Sequence, residues 1–289
     1  MSDFHTPVLL QEVVDNLKIK RGGQYIDATV GGGGHAAAIL KLGGKLLGID
    51  CDPEAIKAAR KSLASACPTT FWRLARGNFK NLEQIAVANG FSQVDGILLD
   101  LGVSSHQLET AERGFSFNLN GPLDMRMDPE LAVTAADLVN GLNKGELTAL
   151  FKKFSDEPRA GLIAEAIVKA RRQAPIKTGA QLASVVGVRQ GNRHPATRVF
   201  QALRMAVNDE LNNLNQVLPQ AVSLLRPGGR LAVISFHSGE DRLVKNFLKD
   251  QKIAGNLMMI NKKPLMATPA ETAANPRSRS AKLRVGEKL

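Results

Sequence analysis

The chain has 289 residues, 44% of them apolar and 22% charged, enough for one large domain with an insertion or for two small ones. Its two cysteines, Cys51 and Cys67, lack CxxC or CxxH spacing and indicate neither a disulfide framework nor a zinc site. The formal net charge of +11 favours a polyanionic partner, and no apolar run approaches the roughly 18–20 residues of a membrane span.

In chain order, the opening Met1-Ser2-Asp3-Phe4-His5 lacks the basic-then-apolar layout of a signal peptide, so a cytoplasmic location is expected. Gln24–Thr29 reads as a short strand and Gly31–Gly34 as a glycine turn. A helix over His35–Leu42 is ended by Gly43-Gly44. Lys45–Asp50 is a buried strand, and Pro53 opens a helix through Ala66 with Asp52 as its N-cap. Phe71–Ala75, Leu82–Asn89 and Val94–Leu99 continue the pattern as strand, helix and strand, the last ending at Asp100. This βαβαβαβ rhythm predicts an α/β fold with a doubly wound, parallel-rich sheet and ligands at the carboxyl ends of its strands. The rhythm then gives way to helical patterns at Ala132–Asn140, Lys144–Lys153, Ala160–Gln173 and Gly179–Gly187. A long amphipathic helix over Asn208–Leu225, a Pro227-Gly228-Gly229 turn and a strand over Arg230–Phe236 follow. The expected organisation is a discontinuous domain, residues 1–106 and 207–289, interrupted by a helical insertion, 107–206, for RNA or substrate recognition. The tail from Asn261 is expected to pack as an extended segment or to stay mobile until RNA binds.

Basic residues are concentrated. Seven Arg or Lys and no Asp or Glu lie between Arg171 and Asn208: Arg171, Arg172, Lys177, Arg189, Arg193, Arg198 and Arg204. From Arg242 to the end there are eleven basic residues against three acidic ones. Both stretches suit nucleic acid, although a solvated basic surface has the same composition. Aromatics at 4% argue against a base-stacking sheet.

Asp27-Ala28-Thr29-Val30-Gly31-Gly32-Gly33-Gly34-His35 joins a strand end to a glycine turn and a helix start, where backbone N–H groups can approach a ligand. Alone, that loop fits a dinucleotide or a simple tight turn. Asp50 sharpens it, because a carboxylate ending the second strand can accept both ribose hydroxyls of a nucleoside. Asp100 ends the fourth strand beside the switch point, and Gly77-Asn78-Phe79 offers an adenine contact. A dinucleotide enzyme has no particular need for Asp100, and Arg226-Pro227-Gly228-Gly229-Arg230 before a strand is typical of class I methyltransferases. S-adenosylmethionine is the expected cofactor; Asp27 belongs to its site or caps the turn.

Further blocks are more specific: Asp100–Leu108 (DLGVSSHQL), Ala111–Phe117 (AERGFSF), Gly121–Asp128 (GPLDMRMD), His194–Leu203 (HPATRVFQAL), Val207–Leu211 (VNDEL), Gly228–Ser238 (GGRLAVISFHS), Glu240–Arg242 and Asn275–Arg284 (NPRSRSAKLR). With His5–Leu10 (HTPVLL) they span nearly the whole chain, which resembles the bacterial 16S ribosomal RNA cytosine-N4 methyltransferases of the RsmH (MraW) family. The resemblance implies a class I, Rossmann-like methyltransferase fold and cofactor contacts at Gly33, Gly34, His35, Asp50, Phe79, Asp100 and Gln107. It implies as substrate a cytosine of the decoding centre (P-site) in 16S rRNA of the small ribosomal subunit. Three positions depart from the family pattern: His106 stands for a usual proline, Gly239 for a leucine, and Asp156-Glu157-Pro158 for Gly-Glu-Glu.

A cytosine amine is a poor nucleophile because its lone pair is delocalised, so the enzyme must align it and accept its N–H groups. Asp100-Leu101-Gly102-Val103 lacks the prolines and aromatic of the Asp/Asn-Pro-Pro-aromatic loop of many amino-methyltransferases. Asp100, or carbonyls after it, is expected to take the acceptor role. His237, Ser238 and Asp241, with Glu240 and Arg242, either orient cytosine and relay a proton or form a helix start capped by Ser238 or Asp241. His35 reads as an orienter rather than a base. His194 and Arg198 contact phosphate, or serve as a helix cap and an internal ion pair. Arg113, Asp124, Arg126 and Asp128 are expected to staple insertion to core, and Met125 and Met127 to fill space. Asn275–Arg284, with four basic residues, suits phosphate or a docked tail. No metal is implied, and the oligomeric state, a homodimer included, is left open. A methyltransferase for protein or small molecules, and a non-catalytic RNA-binding assembly factor, remain as alternatives.

Overall fold

The structure, a computed structural model, describes residues 7–187 and 196–289. The chain forms two compact units, Met1–Gly102 with Leu211–Leu289, and Val103–Glu210.

The first unit begins with helix α1 (Leu10–Leu17), then alternates β1 (Gln24–Asp27), α2 (Gly34–Lys41), β2 (Lys45–Asp50), α3 (Pro53–Ala66), β3 (Trp72–Arg76), α4 (Leu82–Ala88) and β4 (Val94–Asp100). Helix α3 shows how locally these elements are specified. Asp52 accepts the N–H of Glu54, Pro53 occupies the first turn, and Ala55, Ala59 and Leu63 recur every four residues on its buried side.

The insertion contributes α5 (Ser105–Glu109), α6 (Ala135–Gly141), α7 (Lys144–Ser155), α8 (Ala160–Arg171), α9 (Gly179–Val186) and α10 (Ala196–Val207). Ser104/Gln107, Thr134/Asp137, Asn143/Glu146 and Thr178/Gln181 form reciprocal capping boxes, each fixing a helix start from residues three apart. This unit has its own core around Phe151, Leu147, Ile163, Leu203 and the fully buried Met125.

The chain then adds α11 (Glu210–Leu224), β5 (Leu225–Ser235), α12 (Ser238–Ile253), β6 (Leu257–Met259), α13 (Pro269–Ala274) and β7 (Lys282–Lys288). The sheet order is β3-β2-β1-β4-β5-β7-β6, with parallel pairing from β3 through β5 and antiparallel pairing of β7 with both neighbours. Side chains alternate between its faces. Ile26, Leu47, Ile97, Leu99 and Val233 pack with α4, α11 and α12. Tyr25, Leu46, Leu98, Ala232 and Ile234 pack with α1, α2 and α3. The winding reverses between β1 and β4, which places the switch point at the ends of these strands.

Several expectations need correction. Of the two expectations for the tail, packing as an extended segment holds and mobility does not: Lys282–Lys288 is strand β7, pairing Arg230↔Glu287 through Ser235↔Lys282 with β5. The helix expected over Asn208–Leu225 starts at Glu210, because Asp209 takes a left-handed φ of 49° after the unforeseen α10. The Pro227-Gly228-Gly229 turn lies within β5 as a register break, Val94 facing Leu225 and Gly96 facing Arg230. His5, Arg189, Arg193 and His194 lie outside the described residues.

Candidate active site

Three carboxylates stand at the carboxyl ends of adjacent strands: Asp50 on β2, Asp27 on β1 and Asp100 on β4. Between β1 and α2 runs the glycine loop. Gly33 is the N-cap of α2 with φ 85°, a conformation that penalises any Cβ. A Cβ on Gly34 would come within 3.0 Å of Pro7. Among the described residues no side chain caps α2.

Asp50 is held in place by backbone alone. Its Oδ2 accepts the N–H of Gly31 at 3.0 Å and its Oδ1 that of Asp52 at 2.9 Å. The Cys51 N–H adds a third backbone contact, and the carboxylate keeps acceptor capacity for a ribose hydroxyl. The Gly77 N–H donates to the Asp50 carbonyl at 2.9 Å, binding the turn after β3 to the tip of β2. That turn carries Asn78, which accepts the Lys80 N–H, and Phe79, which packs at the edge of the core.

Asp100 is 12% exposed, its N–H donates to Thr29 Oγ1 at 2.7 Å, and its buried Oδ1 has no hydrogen-bond partner among the described residues. Its Oδ2 lies 3.7 Å from Nδ1 of the buried His35. His35 Nε2 meets the Val8 carbonyl at 3.0 Å. A carbonyl only accepts, so Nε2 carries the proton and Nδ1 is the nitrogen turned to Asp100.

Burial pushes Asp27 up to about 7, opposed by the Thr29 N–H and aided by the charge of Asp50. Burial pushes Asp50 up to about 6, against the N–H groups of Asp52 and Gly31. Asp100 is pushed well above the ordinary carboxylate range by burial, then by Asp27 and Glu240; Arg277 pulls it back. The cluster is short of positive charge. S-adenosylmethionine, which brings a sulfonium and an ammonium group, fits this deficit and the unpartnered oxygen of Asp100.

The other expected residues are placed as follows. His237, rather than Ser238 or Asp241, is the N-cap of α12: its Nδ1 accepts the Glu240 N–H, while Glu240 Oε2 accepts the Phe236 and His237 N–H groups. Ser238 is the first residue of the helix. Asp241 binds Arg284 Nε at 2.6 Å and Lys282 Nζ at 3.4 Å, so two of the tail's four basic residues hold α12 to β7. Gln107 belongs to the insertion unit and completes the Ser104 capping box. Within that unit Arg126 pairs bidentately with Asp124, Arg113 donates to the Arg126 and Met127 carbonyls, and Arg198 lies 3.7 Å from the buried Glu157. These bonds lie within the insertion unit.

Glu240 acts on Asp100, as its place past the fifth strand led us to expect. Thr29, Val8 and Arg277 were not foreseen there. Thr29 stands two residues beyond Asp27, close to a residue already singled out, whereas Val8 and Arg277 arrive from distant segments with no local signal.

The sheet order, the glycine loop and the acidic strand ends define a class I, Rossmann-like methyltransferase that uses S-adenosylmethionine. A crystal structure from Clostridium thermocellum with a provisional rRNA-methylase designation shares the fold at a TM-score of 0.50 and 16% identity, covering 99% of this chain and 100% of that one. The chain belongs to the MraW methylase family, whose model matches residues 2–289. The ribosomal RNA small subunit methyltransferase H of Heliobacterium modesticaldum is 46% identical over 310 residues, 99% of this chain and 98% of that protein. The protein of the same name from Thermomicrobium roseum is 48% identical over 311 residues, covering 100% and 95%.

Proposed function

We propose that the protein methylates the exocyclic N4 of a P-site cytosine in the 16S rRNA of the small ribosomal subunit, in the cytoplasm. The observation that carries this reading is full-length kinship, at 46 and 48% identity, with proteins named as small-subunit rRNA methyltransferases. The net charge of +11 supports a polyanionic substrate.

The cofactor, when bound, supplies an electrophilic methyl group on a positively charged sulfur. The residues proposed to hold it are Gly33, Gly34, His35, Asp50, Phe79 and Asp100, with Gln107 included on family resemblance alone. Asp50 accepts the ribose hydroxyls. Asp100 Oδ1, buried and without a partner, accepts an N–H of the cytosine amine and keeps its lone pair directed at the methyl group. As the amine takes the methyl group it gains positive charge and sheds a proton. Asp100 receives that proton, its raised proton affinity suiting it to the task, and His35 Nδ1 stands next in line. His237, Ser238 and Asp241 serve by setting the start of α12 and with it the position of Glu240. The insertion is assigned to substrate recognition.

The test is to incubate the protein with methyl-labelled cofactor and small subunits lacking the modification, then map the label by mass spectrometry. Label on one cytosine N4 is expected. Label on ring carbon, ribose or ribosomal protein refutes the assignment.

A further inference from the structure

Helix α12 leaves the strand ends at His237 and presents Arg242, Lys245, Lys249 and Lys252 at spacings of three, four and three residues. At 100° per residue these four cations fall within an arc of about 80°. Val244 and Leu248, which face the core, lie outside that arc, on average about 100° from its middle. Arg242, Lys249 and Lys252 are exposed, Lys245 is half-buried, and among the described residues none of the four has an ion-pair or hydrogen-bond partner for its side chain. The helix's acids do not neutralise them: Glu240 is buried in the cap, Asp241 is bound to Arg284 and Lys282, and Asp250 points to the far flank.

A merely solvated helix face tends to alternate charges, because like charges three or four residues apart weaken a helix. Here three successive neighbours are like-charged. From Arg242 to Lys252 the stripe runs about 15 Å along a helix whose start is held beside Asp100 through Glu240. Phosphodiesters match a row of unpaired cations of that length.

We propose that this stripe of α12 is a docking surface for the RNA backbone, so that the methyltransferase unit itself grips the substrate's phosphates beside its active site. The proposal rests on rRNA as substrate. It adds a location for part of the RNA footprint outside the insertion.

The experiment compares the full-length protein with K245Q/K249Q/K252Q and with K57Q/R60Q/K61Q, which removes equal charge from exposed positions on α3. Binding to a fluorescent 16S rRNA fragment containing the decoding centre is titrated between about 50 and 200 mM salt. The α12 variant is expected to bind at least about tenfold more weakly and to lose about 2 units from the log–log salt slope. Its KM for RNA should rise with kcat and cofactor affinity unchanged, the signature of binding lost equally before and during reaction. The α3 variant should stay near the unaltered protein. If the two variants weaken binding equally, or the α12 variant keeps the full slope, the stripe is only a soluble face. If the unaltered protein binds no RNA, the rRNA reading itself fails and the stripe falls with it.

Discussion

Carboxylates buried together with too little positive charge to offset them hold protons, and this governs the chemistry at the ends of β1, β2 and β4. Asp27 at about 7 and Asp50 at about 6 lie above their unfolded value near 3.8, as does Asp100. The folded apoprotein therefore binds more protons than the unfolded chain between these limits. Their contribution to stability is complete below about pH 4 and is lost as pH rises through 6 and 7. Cofactor affinity follows the opposite sign, since a cationic ligand favours the ionised acids. Calorimetric titration should show affinity for S-adenosylmethionine rising from pH 5 to pH 8, and Asp27→Asn should flatten that rise. A pH-independent affinity would contradict the proposed charge complementarity. Roles at single positions separate kinetically. Asp50→Ala should weaken cofactor binding about 10- to 100-fold, the worth of hydrogen bonds to a charged group. Asp100→Asn should lower kcat about 10²- to 10⁴-fold with a smaller effect on cofactor affinity, read by single-turnover transfer. Asp27, Asp50 and Asp100 were legible because an acid ending a hydrophobic run, before a glycine turn or a helix start, is a local pattern. Val8 and Arg277 were not, since their relation to Asp100 exists only after the sheet is assembled.

Among elements, β7 shows how a polar-looking segment becomes an interior strand, second from the edge of the sheet. In Lys282–Lys288 apolar and charged residues are interleaved, and the preceding Pro- and Arg-rich stretch suggests a soluble tail. Yet Leu283 and Val285 are fully buried between β5 and β6, and Arg284, on the other face, is 4% exposed because Asp241 neutralises it. The charge pattern concealed the strand because the partner acid sits on a helix 43 positions away. Burial alone holds Asp241's proton affinity up, but Arg284 and Lys282 outweigh it and leave the acid below its ordinary range. Arg284→Ala should therefore cost about 3 kcal/mol in denaturant unfolding, by stranding a partly buried carboxylate. A mobile tail would change by less than about 0.5 kcal/mol. Helix α10 was overlooked for a different reason. Ala196, Val199, Phe200, Leu203 and Val207 do recur at helical spacing, but the stretch reads first as a basic run, and charge masked periodicity. By contrast β1, β2, β4, α3 and the boxed insertion helices are specified by residues within a few positions of one another.

At the scale of the molecule, the hydrophobic clusters respect the division of the chain. The two clusters flanking the sheet draw no buried residue from 103–210, and the insertion's cluster draws none from outside it. With cores so separated, each unit carries its own burial energy, at about 1.5–3 kcal/mol per large apolar side chain. The insertion holds Phe151, Leu147, Leu182, Leu203 and Ile163, a set sufficient for a helical domain of its length. Differential scanning calorimetry of the full chain should therefore resolve two transitions. Ligand at 100 times its dissociation constant stabilises the state that binds it by about 2.7 kcal/mol. Because Asp50 and the glycine loop lie wholly in the sheet unit, saturating S-adenosylmethionine should raise that unit's transition by the larger amount. The same substitution, Asp50→Ala, should cancel most of the shift while leaving both transitions present. A single transition that moves as a whole would mean that the two cores unfold together, and the division read from packing would then describe geometry without independent stability.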